Sequence, residues 1–164
     1  MKHLLLIGLL LLAVGVSACS PASGDPVPPP AERPDAPQTP DESDPTMHIT
    51  LTLGGRSFAA TLDDNAAAAA FRKLLPLTIR MSELNGNEKY HYLSTSLPTA
   101  SVPYATIHAG DLLLYGNSCV VLFYKTFSSG YSYTPLGRLT DPAGLAEAVG
   151  SGDATVTFAA DENN

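Results

Sequence analysis

Tryptophan is absent, and cysteine occurs only at Cys19 and Cys119. Two cysteines cannot build the disulfide framework of a small secreted scaffold or a zinc site of several thiolates. His48, His91 and His108 have no metal-ligand spacing, so no metal is expected. Nine basic residues stand against sixteen acidic ones, for a formal net charge of −7. With no basic patch, nucleic acid is not an expected partner. The chain contains no Gly-x-Ser-x-Gly elbow, no phosphate-binding glycine loop and no dinucleotide fingerprint. No catalytic residue and no cofactor is therefore assigned from motifs. The longest apolar run, Leu4–Val16, has thirteen residues. At about 1.5 Å of helical rise per residue it falls short of the roughly 30 Å hydrocarbon core, which argues against a transmembrane anchor.

That run follows a single lysine, Lys2, and ends in Val16-Ser17-Ala18-Cys19. A basic start and a short apolar core form a secretory leader. Aliphatic, small, small, cysteine resembles a bacterial lipoprotein signal. The resemblance implies that residues 1–18 are removed and that Cys19 receives a diacylglyceryl group, its amine commonly being acylated as well (palmitate, for example). Each buried CH₂ contributes about 0.8 kcal/mol, and two or more chains hold a protein stably where one does not. Ordinary secretion, leaving Cys19 as a free thiol, is the alternative. Lipidation is the expectation, because an unpaired cysteine at a secreted N-terminus has little other use. The implied location is the bacterial cell envelope, outside the cytoplasm. Ser20 stands where an aspartate would retain the protein in a Gram-negative inner membrane, which favours the outer membrane in such a cell.

Residues 19–46 form the lipidated cysteine and its tether. Nine of the fourteen prolines lie in Ser20–Thr46, with six acidic residues against Arg33 alone. Such a stretch has too little apolar surface to offset the entropy of ordering, so a disordered tether is expected, extended by its prolines. A docking ligand for a partner is the other use of such composition.

Residues 47–160 read as one domain. His48–Leu53 alternates apolar and polar, Gly54-Gly55 signals a tight hairpin, and Arg56–Leu62 returns. Asp63 or Asp64 is the expected cap of a helix through the alanine run, with Ala67, Ala70, Phe71 and Leu74 on one face and Pro76 as its stop. Leu77–Leu84 and Glu88–Leu93 pair around Asn85-Gly86-Asn87. "GDLLLYGNSCVVLFY" is apolar on both faces of two strands, which places it centrally in a sheet or in a closed barrel. Cys119, among these strand formers, is expected buried and inert. "YSYTPLGRL" gives a further strand. A second helix is expected to start at Asp141-Pro142 and end at Gly150, and Ala154–Phe158 closes the sheet. The fold expected is mainly β, a closed barrel of about eight strands with two helices.

These residues resemble a known family. "LLPLTIRMSELNGNEKY" at Leu74–Tyr90, the "GDLLLYG" hairpin and "YSYTPLGRL" are similar to the bacterial cyclophilin-like domain. The resemblance covers nearly all of residues 47–158 and implies a closed eight-stranded barrel with two helices. It also argues against prolyl isomerisation. Active cyclophilins carry Phe-His-Arg on one strand, a Gly-Ser-Gln-Phe-Phe segment and a tryptophan near the pocket, and this chain has none of the three.

All seven tyrosines lie in the domain, with Tyr90 and Tyr92 on one face of their strand and Tyr131 and Tyr133 on one face of theirs. An apolar ring with a polar tip suits a ligand groove, although barrel strands favour tyrosine in any case. Arg80 would supply a counter-charge for an anionic ligand. Glu88 is either a site carboxylate or a turn-fixing partner of backbone or of Arg80. The candidate site is therefore Arg80, Glu88, Tyr90, Tyr92, Tyr131 and Tyr133. The expected function is a lipid-anchored module that binds a peptide or small molecule. The alternative is a divergent prolyl isomerase acting on envelope proteins, dependent on Arg80. A third possibility is a structural lipoprotein without a pocket.

Overall fold

A computed structural model describes residues 47–161. The expected leader, the expected lipidation site at Cys19 and the expected tether lie outside the described residues.

Alternating residues build the first hairpin. In β1 (His48–Leu53), Ile49, Leu51 and Leu53 are buried, and β2 (Arg56–Leu62) buries Phe58, Ala60 and Leu62. Gly54 and Gly55 both take positive φ, as a two-residue turn between right-twisted strands requires. Gly54 has a second role: a Cβ there would lie 2.2 Å from the Ala148 carbonyl oxygen. The first helix, α1 (Ala66–Arg72), follows. Its cap is Asn65, not Asp63 or Asp64. The Asn65 Oδ1 accepts from the Ala68 amide at 2.9 Å, and its Nδ2 donates to the Pro135 carbonyl at 3.0 Å. Asp63 is still tied to the strand that closes the barrel, its amide donating to the Leu136 carbonyl, so the turn begins two residues later.

Next come β3 (Leu77–Leu84) and β4 (Glu88–Tyr92), then the short β5 (Val102–Pro103) and β6 (Thr106–Ile107). The apolar hairpin is β7 (Asp111–Tyr115) and β8 (Cys119–Phe123). It is followed by β9 (Phe127–Ser128), β10 (Ser132–Leu139), α2 (Leu145–Val149) and β11 (Ala154–Ala160). Helix α2 starts later than Asp141-Pro142 predicts. Asp141 Oδ1 accepts the Ala143 amide in a local turn, the Pro142 carbonyl accepts the Leu145 amide, and Gly144 in the left-handed region leads into the helix. Gly150 ends it, as expected.

Eight strands hydrogen-bond in the antiparallel order β2-β1-β11-β3-β4-β8-β7-β10, and β10 returns to β2 to close the barrel. β10 pairs with β7 on both sides of a bulge between Pro135 and Gly137, and from Gly137, opposite Leu62, it also pairs with β2 to close the ring. Only glycine fits there, because a Cβ at Gly137 would sit 2.3 Å from the Thr61 carbonyl oxygen. The short strands β5, β6 and β9 lie outside the ring: β5 extends from β10, and β6 pairs with β9.

The β7–β8 hairpin is buried on both faces because it separates two cores. Leu112, Leu114, Val120 and Leu122 join the barrel interior, where Phe71 of α1 meets Phe158 edge-on at 5.4 Å. Leu113, Cys119, Val121 and Phe123 face outward into a second cluster with Ile107 and Tyr133, against which Tyr90, Tyr104 and Phe127 pack. The fold is thus mainly β, a closed eight-stranded barrel with two short helices, plus an aromatic layer on one outer flank.

Candidate functional site

Strand alternation sets two opposite environments on β4. Lys89 points inward and is fully buried. Its Nζ bonds Glu83 of β3 and donates to the carbonyls of Gly150 at 3.0 Å and Gly152 at 2.6 Å. It also lies 5.2 Å from the centre of the Tyr124 ring, and the Tyr124 hydroxyl donates to the Glu83 carboxylate at 3.0 Å. The Gly86 amide donates to the same carboxylate at 2.7 Å, which fixes the β3–β4 turn. Burial pulls the Glu83 pKa up, but the donors from Lys89, Tyr124 and Gly86 outweigh it and hold the carboxyl below its ordinary range. Burial first, and then the Glu83 contact, push the Tyr124 hydroxyl up to about 12. The inward charge is fully matched and ties the β3–β4 turn to the segment that enters β11.

Glu88, Tyr90 and Tyr92 point outward from the same strand. In the ladder they oppose Phe123, Val121 and Cys119 of β8. Across β8, Tyr115 of β7 opposes Cys119, and Tyr131 and Tyr133 lie on the far side. Together these groups bound a cleft of about 310 Å³, with Val121 and Cys119 at its floor and Leu84 and Asn85 at the end near the β3–β4 turn. Two ring pairs meet nearly at right angles, and Tyr115 and Tyr133 tilt at 55° with centroids 5.7 Å apart. Tyr90 and Tyr92 are 5.9 Å apart at 82°, and Tyr115 and Tyr131 are 6.4 Å apart at 87°. In an edge-to-face pair one ring is engaged through its edge, so both of its faces stay available. Tyr92 and Tyr131 are more than 60% exposed, so the cleft is open at its rim.

Its electrostatics are one-sided. No lysine, arginine or histidine lines the cleft among the described residues. Glu88 is half-buried, and no hydrogen bond or ion pair engages its carboxylate among the described residues. Burial, and then the nearby Glu83, raise its pKa. Burial and then Glu88 push the Tyr133 hydroxyl up to about 12. Burial raises the Cys119 thiol, with the Tyr92 hydroxyl opposing in part. Tyr92 is itself raised, chiefly by that thiol. Cys119, free and 4% exposed, therefore stays protonated near neutral pH and acts as an apolar floor.

Five of the six candidate residues thus share one cleft: Glu88, Tyr90, Tyr92, Tyr131 and Tyr133. Arg80 does not join them. Its side chain is 77% exposed on β3 and donates through Nε to Asp153 at 3.1 Å, and it is not part of the cleft lining. Glu88 pairs with neither Arg80 nor the turn, because Glu83 already holds the turn amide. Tyr115 was not singled out by the sequence pattern, nor were the floor positions Val121 and Cys119. The available signal was register: in the tight β7–β8 hairpin, Tyr115 stands opposite Cys119, on the face shared by Leu113 and Val121.

Residues 51–159 match the cyclophilin-like family. No curated protein matches the chain.

Proposed function

Since the chain belongs to the cyclophilin-like family, we propose that its barrel is a binding module held at the bacterial cell surface or envelope by an N-terminal lipid. The tyrosine-lined cleft on the outer flank of the barrel carries this reading. Its volume of about 310 Å³ lies at the lower bound of ligand pockets, and rings with a few polar groups are the usual lining of such sites. The ligand is a small molecule or the side chain of a peptide. The anchor rests on the short apolar run and on Ser17-Ala18-Cys19. The rival isomerase depends on Arg80, which stands outside the cleft and is paired with Asp153.

Two measurements test the proposal. Mass spectrometry of the mature polypeptide should find Cys19 at its N-terminus carrying acyl chains; an intact leader or a free thiol would remove the anchor. Ligand-observed NMR of the full chain against a mixed library of small molecules and short peptides should find binders that lose contact in the Tyr90→Ala/Tyr92→Ala double variant. Binders that contact the variant equally well would remove the cleft from the function.

A further inference from the structure

We propose that the cleft takes a small organic cation, an alkylated ammonium group held among the tyrosine rings with Glu88 as its counter-charge. This rests on the reading of the cleft as a binding site and names the chemistry it selects.

Three observations converge. The first is the lining. The negative face of an aromatic ring attracts a cation within about 6 Å, and the attraction grows when water is excluded. Five tyrosines bound the cleft, and in the perpendicular pairs Tyr90–Tyr92 and Tyr115–Tyr131 one ring meets its partner by the edge and keeps its faces clear of it. A quaternary ammonium has no N–H groups to satisfy, so rings rather than hydrogen-bond acceptors suit it.

The second is the charge inventory. Glu88 is the one ionisable carboxylate lining the cleft among the described residues, and no basic side chain lines it. The nearest cation in sequence, Lys89, points through the sheet and is consumed by Glu83 and two carbonyls. An anionic ligand would bring like charge to Glu88 with nothing to offset it. A neutral ligand without a donor would desolvate the carboxylate further, and one with an N–H or O–H would bond it but leave its charge unbalanced. Only a cation supplies the opposite charge that the cleft lining lacks.

The third is how the lining titrates. Glu88, Tyr92, Cys119 and Tyr133 are all shifted toward their protonated forms, and Glu88 contributes to the shifts at Cys119 and Tyr133. The cleft resists added negative charge on each of these groups.

The test compares choline with 3,3-dimethylbutan-1-ol, which has the same shape and no charge. The protein lacks tryptophan, so its emission is that of tyrosine, and five of its seven tyrosines line the cleft; assigned ring resonances separate these five from Tyr104 and Tyr124. Choline titrated into the full chain should shift the ring resonances of Tyr90, Tyr92, Tyr131 and Tyr133 saturably. The neutral isostere should bind at least about tenfold more weakly. Glu88→Gln should weaken choline by about tenfold and leave the isostere unchanged. Equal binding of the two probes, or choline binding indifferent to Glu88→Gln, would overturn the cation while leaving the cleft a binding site. No choline binding would also overturn it. The library screen then decides separately whether the cleft binds anything: neutral binders lost in the Tyr90→Ala/Tyr92→Ala variant keep the broader proposal, and their absence ends both.

Discussion

Glu88 and Lys89 are neighbours on one strand and live in opposite worlds. Lys89 points into the barrel, where a carboxylate, two carbonyls and a tyrosine ring surround it. Glu88 points out among tyrosines and finds no partner among the described residues. A buried charge with every partner in place holds a structure together and has nothing left for a ligand. A half-buried charge with none is a standing cost unless something binds it. The same contrast runs through the β7–β8 hairpin, whose inner face is aliphatic and sealed and whose outer face ends in half-open tyrosines.

The contrast is most easily broken at Glu83. Glu83→Gln leaves a fully buried ammonium without its anion, and such losses cost about 3–5 kcal/mol. Lys89→Met should cost less, because the Glu83 carboxylate that remains is 22% exposed and keeps its Tyr124 and Gly86 donors. Urea denaturation of both variants checks the order. A larger loss for Lys89→Met would mean that the two carbonyl bonds, and not the ion pair, carry the contact.

The second test sets the hairpin's inner face against the cleft rim. Leu122 is fully buried in the barrel, and Leu122→Ala should lower stability by about 2–5 kcal/mol. Tyr131 is 63% exposed, and Tyr131→Ala should stay within about 0.5 kcal/mol of the parent while weakening any cleft ligand. A Tyr131→Ala protein that melts like Leu122→Ala would make the tyrosine layer a core and not a site.

The fold was legible because most strands declare themselves. Alternation in β1, the paired glycines after it and the doubly apolar β7–β8 hairpin each leave few choices, and together they require closure. The caps were less legible. Asp63 and Asp64 are chemically as good as Asn65, and what decides among them is a hydrogen bond from the Asp63 amide to Leu136, on a strand far along the chain. The short strands β5, β6 and β9 have two residues each, too few to show a period. In the cleft, period two put Tyr90 with Tyr92 and Tyr131 with Tyr133, yet only the strand order brings the two pairs to one cleft across β8 and β7. Arg80 and Glu83 are both charged residues of β3, three positions apart. Parity separates them, sending Glu83 inward to Lys89 and Arg80 outward to Asp153.

A smaller effect distinguishes the two faces by the sign of their acid response. Native Glu83 holds its proton less tightly than the unfolded chain does. Its contribution is therefore present above the ordinary glutamate value of about 4.3 and is lost as pH falls through its lower native value. Native Glu88 holds its proton more tightly, so its contribution has the opposite sign: stability rises as pH falls through its raised value toward about 4.3. Glu83→Gln should flatten the acid loss of stability seen in urea titrations at stepped pH, and Glu88→Gln should remove the opposing gain just above it. Parallel curves for both variants would show that the two carboxylates share one environment.

The smallest change belongs to Arg80. Exposed ion pairs contribute little, since solvent screens them and two long side chains must be held still. Arg80 is mostly exposed, meets Asp153 through one nitrogen, stands opposite Thr155 of β11 and does not line the cleft. Arg80→Ala should leave the urea midpoint essentially unmoved and cleft ligands bound as before. It should lift the Asp153 carboxyl toward its ordinary range, because the Arg80 hydrogen bond is the largest cause of its lowering. NMR titration of Asp153 reads that shift directly. The same variant bears on the rival function. If proline-peptide isomerisation were detected in the parent and abolished by Arg80→Ala, the working surface would lie on the β3–β11 side of the barrel, and the tyrosine cleft would lose its claim.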